Sequence, residues 1–308
     1  MRSIRVLLSL WAAASLLAGC GGSGGGGTVP AAGQSLHAST MSTIVHRNGL
    51  TIHLFPVRGS ALAQHAAAGT NNNLIYNGGP IQTSPKMYLV EWGTWTAGSG
   101  DPDGAGPVLQ KFLQGVGGSS WLNTVTQYTQ SNGSHVGNPS GNLAGVWNDT
   151  SAPPLVMQDS DIAAEALKAA AHFNDYTTSA SYVIATPHLH NDIGFGVEYC
   201  AWHSSEAAPN GQTIAFTNLP YIPDAGSSCG QGSVNSPGTL DGVSIVEGHE
   251  QGETETDPQP SSGWIDSSGN EIGDKCAWTG LQNTAFSTGT FPTQPLWSNA
   301  SASCVQSY

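Results

Sequence analysis

Residues 248–258 read GHEQGETETDP: one histidine, four carboxylates (Glu250, Glu253, Glu255 and Asp257) and a closing proline. On a helix, residues four apart project from the same side, about 40° apart, so His249 and Glu253 aim at a common point with Glu250 on the adjoining edge. This is the geometry of H-E-x-x-H with glutamate in the last ligand place. In that motif the two outer residues hold a metal ion and the inner glutamate takes a proton from water that the ion activates. A carboxylate is a legitimate zinc ligand, and its hardness also admits Mn²⁺ or Ca²⁺.

A further ligand must come from beyond the helix. The stretch SSGWIDSSGNEIGDKCAW (261–278) offers Asp266, Glu271 and Asp274, and Glu271 lies far enough after His249 for the chain to leave the helix and return. Nine of the chain's 21 Asp and Glu residues fall within 241–274, a density that calls for neutralisation by protons, water or a cation. The expected metal ligands are therefore His249, Glu253 and one of Glu271 and Asp274, with Glu250 as the catalytic base. A calcium loop through Asp266, Ser268, Asn270 and Asp274 is a weaker alternative, because the glycine expected at its sharp turn is missing.

Other histidines are less specific. His188 and His190 (TPHLHND) follow a strand end as an H-x-H pair, although loop histidines more often serve as solvated hydrogen-bonding groups. His203, three residues after Cys200, reads as a substrate-facing residue once that cysteine is assigned to a disulfide. Neither a G-x-S-x-G elbow nor a P-loop is present.

Three blocks carry a resemblance: YNGGPIQTSPKMYLVEWG, then Cys200-Ala-Trp-His203-Ser, then HEQGETETDP…WIDSSGNEIGDKCAW. Together they resemble the phosphate-induced (EXORDIUM-like) family and its bacterial relatives, over roughly residues 73–280. The last block is the most specific, with His249, Glu250, Glu253, Thr256, Asp257, Pro258, Trp264, Glu271, Gly273, Asp274 and Cys276 in the family pattern. Plant members are associated with growth and the cell wall, and some lack the histidine and glutamate. Bacterial members that keep H-E-x-x-E look like zinc peptidases, and the resemblance places this chain on that side.

The elements that must position these residues can be read from periodicity. KMYLVEWGTW (86–95), LAGVWND (143–149), SYVIATP (181–187) and TIAFTNLPYI (213–222) are strands. Residues 106–130 have helical spacing through Val108, Leu109, Phe112, Leu113 and Val116, with a second helical stretch, WLNTVTQY, after a break at Gly117-Gly118. DSDIAAEALKAAAHF (159–173) is a helix capped by Asp159 or Ser160. TLDGVSIVEGHEQGETETDP (239–258) is a helix with Val243, Ile245 and Val246 as its buried stripe and Glu255 on its surface. Gly248 and Gly252 each weaken that helix by about 1 kcal/mol relative to alanine, and their spacing points to a close-packed backbone beside a sheet. The expectation is an α/β (α+β) fold: one zincin-like domain over 71–308, with a mixed sheet, an active-site helix and a disulfide-stapled, turn-rich C-terminal part.

The N-terminus is read separately. Arg2 and Arg5 precede an apolar run ending in Leu17-Ala18-Gly19-Cys20, too short for the about 20 residues of a membrane span. This matches a bacterial lipoprotein signal over 1–19, with lipidation at Cys20 and a glycine-rich tether. Residues 20–70 are expected to be tether and weakly ordered lead-in, with a short hairpin at Arg47-Asn48-Gly49. The remaining cysteines, Cys200, Cys229, Cys276 and Cys304, predict two disulfides whose pairing stays open.

A net charge of −13 argues against nucleic acid. The expected protein is a monomeric, lipid-anchored enzyme of the bacterial envelope (outer membrane, periplasm or cell surface) that uses Zn²⁺, or else Mn²⁺ or Ca²⁺, to hydrolyse a peptide or protein substrate. The alternative is a non-catalytic, glycan-binding envelope lipoprotein with a structural cation site. It would use exposed aromatics among Trp92, Trp95, Trp121, Trp147 and Trp202.

Overall fold

The computed structural model describes residues 42–68 and 72–308. The signal segment, Cys20 and the glycine-rich tether lie outside the described residues. Seven strands form the main sheet: β1 (Ile44–Arg47), β2 (Leu50–Pro56), β3 (Lys86–Trp92), β4 (Leu143–Asp149), β5 (Ala180–Ala185), β6 (Tyr199–Ala207) and β7 (Thr213–Leu219). Their spatial order is β1-β2-β6-β7-β5-β3-β4. The four strands from β7 to β4 pair in parallel, while β1, β2, β6 and β7 pair antiparallel. The mixed α/β sheet expected from the sequence is therefore present.

Helices cover both faces. The sides of the sheet bury two separate apolar clusters, one formed with α2 (Ala105–Val116) and α4 (Asp241–Thr256), the other with α3 (Asp159–Phe173). A strand buried on both faces reads as a continuous apolar run, which is why ASYVIA in β5 is buried at every residue. The cap of α3 is Gln158, one residue before the expected pair, closed by a reciprocal bond with Asp161. After α2 ends at Val116, the second helical stretch expected beyond Gly117-Gly118 is a 3-10 helix at Leu122–Gln127. Among the described residues, no helix is long and apolar enough to cross a membrane.

The lead-in is the main departure. Residues 44–56 are a hairpin of the central sheet, turned by Asn48 (φ 51°) and Gly49 (φ 83°), and β2 pairs directly with β6. A short helix, α1 (Ala61–Ala68), follows. Residues 44–56 thus belong to the compact unit, ahead of the domain start at residue 71 read from the sequence. Polar residues around the hairpin hide it, but LTIHLFP alternates between two buried faces and supplies apolar residues to both clusters.

Helix α4 is buried along all 16 residues, not on a Val243–Ile245–Val246 stripe alone. It lies between the sheet and a C-terminal layer of two ribbons, Gln282–Phe286 with Gly289–Thr293 and Leu296–Ser298 with Ser303–Val305. Its two glycines allow this. A Cβ on Gly248 would stand 3.2 Å from Trp121, and one on Gly252 would stand 3.0 Å from Leu296. Two disulfides, Cys200–Cys229 and Cys276–Cys304, select one of the three open pairings.

Because β2 completes the sheet, a chain started at residue 71 is expected to lose cooperative thermal unfolding. One started at residue 42 should keep it. Circular dichroism melts of the two truncations check this, and a cooperative melt from the shorter chain would contradict the assignment of β2 to the core.

Candidate metal centre

Three parts of the chain meet beneath α4. The helix contributes His249, Glu250 and Glu253. The loop beyond it returns Glu271 and Asp274, the latter opening a short 3-10 turn. The sheet contributes two residues directly paired across β2 and β6, His53 and His203. All seven side chains are fully buried. The structure thus brings together His249, Glu250, Glu253, Glu271 and Asp274, as the spacing predicted, and adds His53, which the sequence reading missed. His203 is not a substrate-facing residue: it stands inside the cluster.

Hydrogen bonds fix which ring nitrogens are bare. Thr43 Oγ1 donates to Asp274 Oδ2 (3.2 Å), so toward His53 Nε2, 2.6 Å away, it accepts. His53 therefore carries a proton on Nε2, also 2.8 Å from Asp274 Oδ2, and in the singly protonated ring Nδ1 is the nitrogen free to ligate. His203 donates Nδ1–H to Glu250 Oε2 (3.1 Å), leaving Nε2 bare. Each imidazole is thus held by a carboxylate on its far nitrogen, the arrangement that orients metal-ligating histidines.

The bare nitrogens face bare oxygens. His53 Nδ1 lies 2.5 Å from Glu271 Oε1 and 3.6 Å from Glu253 Oε2, and His203 Nε2 lies 3.6 Å from Glu271 Oε1. None of these four atoms has a hydrogen-bond partner among the described residues. Ligands bound tetrahedrally at 2.0–2.1 Å stand about 3.3 Å apart, and these separations bracket that value. His53, His203, Glu253 and Glu271 form one group able to hold a metal ion, and His249, Glu253 and Asp274 form another. In the second group His249 Nε2 is 3.0 Å from Glu253 Oε1 and 3.9 Å from Asp274 Oδ1.

The surroundings are rigid and apolar. Phe55 stacks on the His249 ring at 3.7 Å, and Trp278 stacks on Phe55 at 4.5 Å. Gly273 must be glycine here, because a Cβ would fall 2.6 Å from His249 Nδ1 and 2.9 Å from Glu253 Oε1.

Electrostatics divides the acids, and the division cuts through the cluster: burial pushes Glu253 up to about 7, while the histidines pull Asp274 and Glu271 down. Burial pushes Glu255 up to about 8, against a hydrogen bond from Gln251, so Glu255 is a buried, protonatable group and not helix surface. Burial also raises Glu247, reinforced by Glu250, and raises Asp257, reinforced by Glu271. These outer acids are neutralised by protons. Glu271 is driven the other way: burial would raise it, but His53 and His203 pull it below the usual carboxylate range. Reciprocally, burial would lower His53, but Glu271, Asp274 and Glu253 hold it well above the usual imidazole value. Without an ion, protons occupy the position between these groups.

The remaining candidates lie elsewhere. Asp266 accepts from the backbone of Ser268 and Asn270 and pairs with Lys275 (3.3 Å), so it organises a turn and is not part of a calcium loop. His188 pairs with Asp224 and His190 with the Pro154 carbonyl. Of the five tryptophans, Trp92, Trp121 and Trp202 are buried, leaving Trp95 and Trp147 half-buried.

Compared with known proteins, the chain matches no protein-family model, no curated protein and no solved structure.

Two outcomes follow from this geometry. A ligating imidazole must be deprotonated at the nitrogen that binds, so metal uptake should release about one proton or more per chain near neutral pH, and affinity should fall as pH is lowered. Calorimetry in buffers of different ionisation enthalpy measures both. Gly273→Ala, by crowding His249 and Glu253, should weaken metal affinity at least tenfold in the same titration; wild-type affinity would contradict the close packing.

Proposed function

We propose that this protein is a metal-dependent hydrolase that cleaves peptide bonds at the cell envelope. The observation carrying this reading is the convergence of bare imidazole nitrogens and bare carboxylate oxygens in one buried cluster. Two imidazoles in the four-membered group favour Zn²⁺, with Mn²⁺ next, and disfavour Ca²⁺, which takes oxygen ligands. When bound, the ion supplies Lewis acidity toward a carbonyl and toward water.

The chain's own contribution centres on Glu250. His203 holds Glu250 Oε2, while Glu250 Oε1 is buried without a hydrogen-bond partner among the described residues, which suits it to accept a proton from water. The same contact makes Glu250 the group that orients His203. The sequence resemblance to bacterial EXORDIUM-like proteins that look like zinc peptidases supports the peptide bond as the target. The lipoprotein-type signal ending at Cys20 supports an anchored envelope location, and two disulfides suit an oxidising compartment.

A second reading has a specific observation behind it. Four protein ligands, all fully buried, are the pattern of a closed structural ion, in contrast to a catalytic one with an open position. Glu250→Gln separates the two. For a hydrolase, the variant keeps stoichiometric zinc and loses peptide hydrolysis by on the order of 10²–10⁴-fold. Zinc-loaded native protein without turnover on a peptide library would leave the structural reading in place.

A further inference from the structure

We infer that the cluster is built for two metal ions bridged by the Glu253 carboxylate. This rests on the metal-binding reading above and extends it. The two ligand groups share one residue, Glu253, and they use its two oxygens separately. Oε1 faces His249 Nε2 at 3.0 Å, and Oε2 faces His53 Nδ1 at 3.6 Å. One carboxylate with its oxygens turned to two different sets of ligand atoms is the geometry of a bridging ligand.

Orphaned atoms support both positions independently. On the far side of Glu253, His249 Nε2 and Asp274 Oδ1 are buried and have no hydrogen-bond partner among the described residues. His249 Nε2 lies 3.0 Å from Glu253 Oε1, which also accepts the backbone N–H of Asp274 at 3.0 Å. Asp274 links the halves a second time. Its Oδ1 belongs to the His249 group, and its Oδ2 holds the Nε2–H of His53 in the other. On the other side of the ring, Gln294 Nε2 donates to the Gly273 carbonyl (2.8 Å) and lies 3.1 Å from His249 Nδ1, so coordination through Nε2 requires the ring proton and this amide to rearrange.

The test counts ions on the native, full-length chain. After saturation with Zn²⁺ and removal of the excess, elemental analysis should find two ions per chain, and Mn²⁺ loading should give the spin-coupled multiline electron paramagnetic resonance spectrum of a bridged pair. His249→Leu should lower the count to one and replace the coupled spectrum with that of isolated Mn²⁺. If His249→Leu does not fold, the native count and spectrum decide. One ion per chain, or two without spin coupling, overturns the bridged pair while leaving a metal-dependent function intact. No bound ion overturns both.

Discussion

Everything in this fold answers to the burial of carboxylates against imidazoles under one helix. At an effective dielectric of 20, two like charges 4 Å apart cost about 4 kcal/mol, a large part of the 5–15 kcal/mol that holds a domain folded. Glu250, Glu253, Glu271 and Asp274 are buried together, so their neutralisation is a condition of folding as well as of function. The structure meets it in two ways. The peripheral Glu247, Glu255 and Asp257 are pushed by burial toward their protonated forms. The central four are arranged around histidine nitrogens, in groups able to hold a cation in place of protons.

The supporting framework fixes the segments that carry these groups. Cys200 precedes His203 by three residues on β6 and is tied to Cys229; Cys276 follows Asp274 by two and is tied to Cys304. Each staple closes a loop of 29 or 28 residues and removes chain entropy from the unfolded state equivalent to roughly 3–4 kcal/mol. Their placement also limits how far the ligand-bearing segments can drift. The pairing of His53 with His203 is set by the sheet itself, since adjacent antiparallel strands hold opposite residues on one face at fixed spacing.

The part of the site on α4 and its following loop was legible in the sequence because it is local. A helix places His249 and Glu253 together by spacing alone, and the crowding of acids in so uncharged a chain marks Glu271 and Asp274. His53 was not legible, because the histidine and acids it meets lie 150 or more residues away and the charged residues nearest it in sequence, Arg47 and Arg58, are basic. Its one available signal is a histidine on the alternating face of LTIHLFP, where a buried strand would otherwise place an apolar side chain. The same stretch was misplaced as lead-in, since the polar residues around it mask a seven-residue strand, although its Asn48-Gly49 turn was visible. Glu255 was misjudged for the opposite reason. Helical position alone does not reveal a layer packed over the outer face of α4, and that layer comes from the ribbons after residue 281.

Helix α4 also shows why metal and fold belong to one equilibrium. DGVSIVEGHEQGETET carries three large apolar residues in sixteen, yet all of it is buried, so apolar transfer cannot be what holds it in the core. Its polar side chains must be compensated inside the protein, and the ligand atoms on it meet partners only from β2, β6 and the 271–274 loop. A ligand set assembled from such remote segments does not exist in the unfolded chain. Any ion bound there stabilises the folded state alone, by about 4 kcal/mol when present at a thousand times its dissociation constant. The closed character of the site follows from the same linkage: the more completely the protein surrounds the ion, the more of its binding energy appears as folding energy.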